Sequence, residues 1–175
     1  KRRTKAIAEY TRNKAEFESQ KNRKNGELID LKNRFEESDK DAVERYISIV
    51  LTKSHYPIDL ERDFEVIYDK SRKRVLVNYL FQDIDSFPIV EKYKYNRKTD
   101  EIEEVLMDKK SATLFYSNVL YSIGIRTMHE IYESVYTGAV KIIGFNGYIE
   151  DEEDSRCVFT MSSNFDSFTR INLKQ

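Results

Sequence analysis

"VERYISIVLTKSHYPIDLERDFEVIYD", residues 43–69, changes its hydrophobic period once, and that change decides the fold. In the first half, Val43, Tyr46, Ile47, Val50 and Leu51, with Ala42 before them, recur every three to four residues, the buried face of a helix. Ser38-Asp39-Lys40-Asp41 starts that helix, with cap residues followed by an acid in the first turn. Pro57 predicts its end at or before Tyr56, because the residue before a proline avoids the α region. From Asp63 the period is two. "DFEVIYD" (63–69) and "RVLVNYL" (74–80) flank the polar turn "KSRK", which predicts a hairpin. "IVEKYKYN" (89–96) and "EIEEVLM" (101–107), joined by "RKTD", predict a second.

Downstream, Ser111 to about Tyr136 reads as the longest apolar-periodic helix, and a helix so apolar on nearly all sides is expected at the centre of the core. Gly138 supplies its stop. "AVKIIGFNGYI" (139–149) predicts a buried strand, Asp151–Asp154 an acidic turn, "RCVFTMSS" (156–163) the partner strand and "NFDSFTRINL" (164–173) a short helix. This order gives an α+β domain, with a mainly antiparallel sheet packed on one long apolar helix. Two units result: a charged helical arm at 1–37 and an α+β body at 38–175.

The arm has no proline and a single glycine, Gly26, which costs about 1 kcal/mol against Ala in a helix interior and suggests a bend or a break there. Positions 7, 10, 14, 17, 21, 24, 28, 31 and 35 alternate by three and four, the spacing of a coiled-coil seam. Ile7, Tyr10, Phe17, Leu28, Leu31 and Phe35 are its apolar members, and Lys14, Lys21 and Lys24 weaken the middle of a symmetric pair. Two readings stay open. Either the arm self-associates, or it is a solvated helix that touches its own body through Leu28, Leu31 and Phe35.

Composition narrows the function classes. A net charge of −1 argues against a bulk nucleic-acid binder or a polybasic membrane anchor, although "KRRTK" at Lys1–Lys5 leaves a local basic face. One cysteine, Cys157, excludes an internal disulfide and a multi-cysteine zinc site, and suits a reducing cytoplasm. No apolar run approaches the roughly 20 residues that span a bilayer, so no membrane contact is expected. The chain lacks an initiator Met, and Lys1 reads as a cut end of a longer protein.

Candidate chemistry is sparse. His129-Glu130-Ile131-Tyr132-Glu133 lacks the second histidine that a zinc-binding helix needs one turn on. Cys157 is expected in a buried strand, as a small hydrophobe rather than a nucleophile. Asp69 or Asp85 followed by Glu91-Lys92-Tyr93-Lys94 misses the acid-x-Lys spacing of a Mg-dependent nuclease by one residue, and Asp108-Lys109-Lys110 falls in a loop. No catalytic residue, metal or cofactor is therefore assigned to this chain. Lys92, Lys94 and Arg97, interleaved with Tyr93 and Tyr95, resemble a stacking platform for nucleic acid or a nucleotide. Strand alternation instead favours tyrosines facing the core and lysines facing solvent.

The clauses together resemble the region upstream of the catalytic domain in bacterial Mrr-like restriction endonucleases. That family reads similar "VL-x-x-S-x-YP", "F-x-x-x-Y", "P-x-x-x-x-YKY", "LRT-x-HE-x-F" and "FNG" clauses. The matching residues here are Ser54, Tyr56, Pro57, Phe64, Tyr68, Pro88, Tyr93, Lys94, Tyr95, Arg126, Thr127, His129, Glu130, Phe145, Asn146 and Gly147. The likeness covers about residues 42–175, and the preceding helix resembles the coiled coil that often stands before this region. It departs from its relatives at 149–155, where the acidic loop is short. The resemblance implies a non-catalytic regulatory or oligomerisation module of an anti-phage, DNA-cleaving enzyme. The Mg-dependent nuclease domain would follow Gln175 in the same polypeptide, with DNA as a further partner. Arg126, His129, Glu130 and Asn146 are its expected partner-binding residues. A helix-surface Arg126–Glu130 pair, and an Asn146-Gly147 that only relieves a bulge, is the plainer alternative. The competing function is a sensor that binds nucleic acid or a nucleotide through Lys92, Lys94 and Arg97.

Overall fold

The computed structural model describes residues 2–56, 63–87, 89–150 and 155–171. The fold is α+β, with a long N-terminal helix and mainly antiparallel sheets. In chain order the elements are α1 (Arg2–Glu36), α2 (Lys40–Lys53), β1 (Asp63–Asp69), β2 (Arg74–Phe81), β3 (Val90–Asn96), β4 (Glu101–Leu106), α3 (Lys109–Ser134), β5 (Ile142–Glu150), β6 (Ser155–Asn164) and α4 (Phe165–Phe168). Pro57, Pro88 and the acidic turn Asp151–Asp154 lie outside the described residues.

Capping carboxylates set the helix starts. Asp39 accepts from Ala42 N at 3.1 Å and holds Arg34 Nη2 at 2.6 Å, which locks the α1–α2 corner. Asp108 accepts from the backbone of Lys110 and Ser111, so α3 begins before the expected Ser111. Its other end comes earlier too: α3 stops at Ser134, and Gly138 (φ 65°) turns the chain toward β5 rather than capping the helix. In the β1–β2 turn, Asp69 accepts from Ser71 and from Arg72 N. All three carboxyls sit below their usual value of 3.8, Asp39 chiefly through Ala42 N, Asp69 and Asp108 chiefly through a serine hydroxyl. A depressed carboxyl stabilises the fold above the unfolded pKa and loses that contribution as pH falls through the folded one. The thermal midpoint is therefore expected to be flat from about pH 7 to pH 5 and to drop below about pH 4. A scanning-calorimetry pH series checks this.

Four strands form one sheet in the order β1-β2-β5-β6, and among the described residues β3 pairs only with β4. The β1/β2 and β5/β6 pairs are antiparallel, as expected. At the centre, β2 runs parallel to β5, with Val75 opposite Ile143 and Val77 opposite Phe145. The second hairpin stands apart as a two-stranded sheet of its own. Three of the six β4 residues are glutamates, and β3 alternates Lys with Tyr, so neither offers the apolar side that β5 does. Tyr93 and Tyr95 are accordingly 66% and 56% exposed, and the expected burial of these rings is corrected.

One sheet face carries the core. Val66, Tyr68, Val75, Val77, Tyr79, Phe81, Ile143 and Phe145 are buried there, joined by Val43, Ile47 and Leu51 of α2 and by Ile123, Met128 and Ile131 of α3. α3 is not apolar-buried all round: its buried residues form one stripe, and Leu114 and Tyr121 face outward. Cys157 is exposed rather than buried. A register shift between Gly147 and Tyr148 sets it opposite Tyr148, on the uncovered face of an edge strand.

α1 runs unbroken through Gly26. Its described residues up to Asp30 are all exposed, whereas Leu31 and Phe35 enter the core. The Phe35 ring lies 4.4 Å from Tyr46 and 5.8 Å from Tyr136. Leu28, expected to touch the body, is 61% exposed. The freestanding arm thus ends near residue 30, and the last two turns of the segment 1–37 pack with the body. Among the described residues no helix is long and apolar enough to cross a membrane.

Candidate functional site

Helical geometry sets Arg126 and Glu130, four apart, on one side of α3. Arg126 Nε meets Glu130 Oε1 at 2.9 Å. The pair is more than a surface contact, because Ser54 Oγ, 76 residues away in sequence, donates to the same oxygen at 2.7 Å. The Arg126 guanidinium also lies 4.8 Å from the centroid of the Tyr56 ring. Ser54, Tyr56, Arg126 and Glu130, drawn from two distant clauses, thereby converge where the C-terminus of α2 meets α3. Ser54 is buried and Glu130 mostly so. Glu130 Oε2 and the buried Thr127 Oγ1 have no hydrogen-bond partner among the described residues. His129 points elsewhere, 3.8 Å from Glu133 and beside the Phe168 ring.

Chemically this arrangement is a tether. One carboxylate oxygen is shared by a cation and a hydroxyl, fixing the angle between α2 and α3. Partial exposure of Arg126 keeps the ionic contribution small, and loss of the hydrogen bonds dominates. Glu130→Ala is expected to cost about 1–2 kcal/mol in urea unfolding, in the range for removing the acceptor of buried hydrogen bonds. A change under about 0.5 kcal/mol would mean that the tether bears no load.

Asn146 lies on the opposite sheet face. There a polar ladder crosses all four strands: Asn78 Nδ2 donates to Glu65 at 3.3 Å, Asn146 Nδ2 to Asn78 at 3.0 Å, and Thr160 Oγ1 to Asn146 at 3.1 Å. Sequence reasoning did not pair these residues. Their signal was an asparagine interrupting each of two otherwise apolar strands, "RVLVNYL" and "IIGFNGYI". Gly147 faces the core side, where a Cβ would stand 2.4–2.9 Å from atoms of the Phe159 ring. It therefore does more than relieve the adjacent bulge, for it makes room for that ring.

Lys92 and Lys94 project from the free hairpin on the face away from Tyr93 and Tyr95. Lys94 stands opposite Glu103 and Asn96 opposite Glu101, so glutamates offset the positive field of that face. Arg97, in the turn beyond, is exposed. Asp69 and Asp108, the acids nearest to a nuclease pattern, are engaged in a turn and a helix cap.

The candidate residues thus fall in four places: Arg126 and Glu130 at the α2–α3 junction, His129 beside Phe168, Asn146 on the uncovered sheet face, and Lys92, Lys94 and Arg97 on the hairpin. Among the described residues no group of three or more His, Cys, Asp or Glu side chains is placed to hold a metal ion. No protein-family model, no curated protein and no solved structure matches this chain.

Proposed function

We propose that this chain is the regulatory and assembly module of a cytoplasmic bacterial Mrr-like restriction endonuclease, with DNA cleavage supplied by a nuclease domain elsewhere in that polypeptide. The observation that carries the reading is the arm. Ile7, Tyr10, Phe17 and Leu28 occupy heptad positions and are 57–68% exposed, on a helix rooted in the core by Leu31 and Phe35. Apolar residues repeated at this spacing along a helix clear of its own body are suited to pairing with another helix. The α2–α3 tether and the packed core make the remainder a rigid base for that arm.

The test uses the whole chain with Ile7→Glu, Tyr10→Glu, Phe17→Glu and Leu28→Glu combined. None of the four is buried, so the body should unfold at an unchanged midpoint. In sedimentation equilibrium the parent chain is expected to self-associate and the variant to be monomeric. A parent that stays monomeric up to about 100 μM, a range in which modest interfaces are populated, would rule the reading out.

A further inference from the structure

The arm's exposed stripe, read in full, is Arg3, Ile7, Tyr10, Lys14, Phe17, Lys21, Lys24 and Leu28, spaced alternately by four and three. All eight residues are exposed, and the next on the stripe, Leu31, is already in the body. Four of the eight are cations and four are apolar. How these two sets map onto each other decides which pairing of two arms is tolerated.

In a parallel, in-register pair each residue meets its own copy. Arg3, Lys14, Lys21 and Lys24 would then face identical charges in half of the layers. Run antiparallel, the stripe behaves differently in one register. When Arg3 lies opposite Leu28 of the second copy, Ile7 falls opposite Lys24, Tyr10 opposite Lys21, and Lys14 opposite Phe17. The cation set maps onto the apolar set without remainder, and no cation meets a cation. Sliding one heptad toward the partner's body puts Lys14 against Lys24 and Ile7 against Leu31, which is only 9% exposed. Sliding one heptad the other way sets Arg3 against Lys21 at both ends of the overlap, cation against cation. The complementary register also stops where the body begins, with Leu28 in its last layer and the buried Leu31 beyond it.

From this we infer that two copies of this chain pair through α1 as an antiparallel two-helix arm in that register, which places the two bodies at opposite ends. The inference rests on the arm-mediated assembly proposed above. Lysine stems cover apolar surface while their ammonium groups reach water. Tyr10 against Lys21 and Phe17 against Lys14 add ring–cation contacts. At each end Arg2, Arg3 and Lys5 of one copy come beside Glu27 and Asp30 at the base of the other, opposite charges at both ends of the overlap.

Cysteine cross-linking reads the orientation directly. In the full chain with Cys157→Ser, one sample carries Tyr10→Cys and a second, isotope-labelled, carries Lys21→Cys. The two are mixed and oxidised, and linked dimers are assigned by mass. A disulfide needs its Cα atoms within about 7 Å, and positions 10 and 21 lie about 16 Å apart along a helix, so a parallel pair cannot join them. The expected product is the 10–21 heterodimer, with Ile7→Cys and Lys24→Cys repeating the pattern. Homodimers, or a statistical mixture, overturn the antiparallel register while leaving assembly through the arm intact. Monomers in sedimentation of the unsubstituted chain overturn both. A dimer that neither cysteine pair cross-links also overturns the register.

Discussion

Phe35→Ala is expected to lower the unfolding free energy by about 3–5 kcal/mol, the range for removing a large aromatic side chain from a packed interior. Phe35 is 2% exposed and wedged between Tyr46 of α2 and Tyr136 beyond α3. Phe17→Ala is the matched control. The same side chain is deleted on the same helix, but at a site 67% exposed, where the effect on folding should stay within about 0.5 kcal/mol. Urea unfolding at low protein concentration, with association suppressed, compares the two. A Phe35→Ala cost under 1 kcal/mol would contradict the packing of α1 on the body.

The second large effect is expected from Gly147→Val, at about 1–3 kcal/mol, the cost of overfilling a packed site. Three atoms of the Phe159 ring stand within 2.4–2.9 Å of where a Cβ would be built. That ring cannot step aside cheaply. It stacks on Phe145 at 5.7 Å, meets Tyr121 edge-on at 5.0 Å and lies 6.0 Å from Phe81. The cost should come with altered near-ultraviolet circular dichroism of the aromatic cluster. A variant as stable as the parent would mean that Phe159 does not cover β5. Both substitutions test contacts on which the proposed function depends only indirectly, by keeping the base of the arm rigid.

Much of the fold was legible because its signals are local. Period-two alternation around "KSRK" and "RKTD" gave both hairpins, and Lys73 and Asp100 in those turns adopt the left-handed backbone that tight reversals demand. Ser38-Asp39 announced the start of α2. The β2–β5 pairing was not legible, since nothing near Val75 names Ile143 as its neighbour. Only competition among strands for the richest apolar edge decides it. The same competition excluded β3, and with it the expected burial of Tyr93 and Tyr95. Cys157 was misjudged because one bulge, at Gly147/Tyr148, reversed the side it faces. At the site, Arg126 and Glu130 were visible as a helical pair, but their third partner, Ser54, arrives through tertiary structure. Asn146 was visible as an oddity in an apolar strand. Its ladder to Asn78, Glu65 and Thr160 depends on the register, which sequence spacing does not give.

The parallel joint between β2 and β5 also bears on how quickly the protein folds. The β1–β2 and β3–β4 hairpins can close in about 1–10 μs, because their partners are neighbours in the chain. The sheet's centre cannot form until the chain from Gln82 to Lys141, with a hairpin and all of α3 inside it, has brought Ile142 back beside Arg74. That closure entropy is lost before the apolar contacts of β5 are gained. Until then β2 has an unpaired apolar edge, open to the same strand of another molecule. Concentrated refolding is thus the condition in which this chain is most exposed to misassembly, and dilution is its simplest remedy.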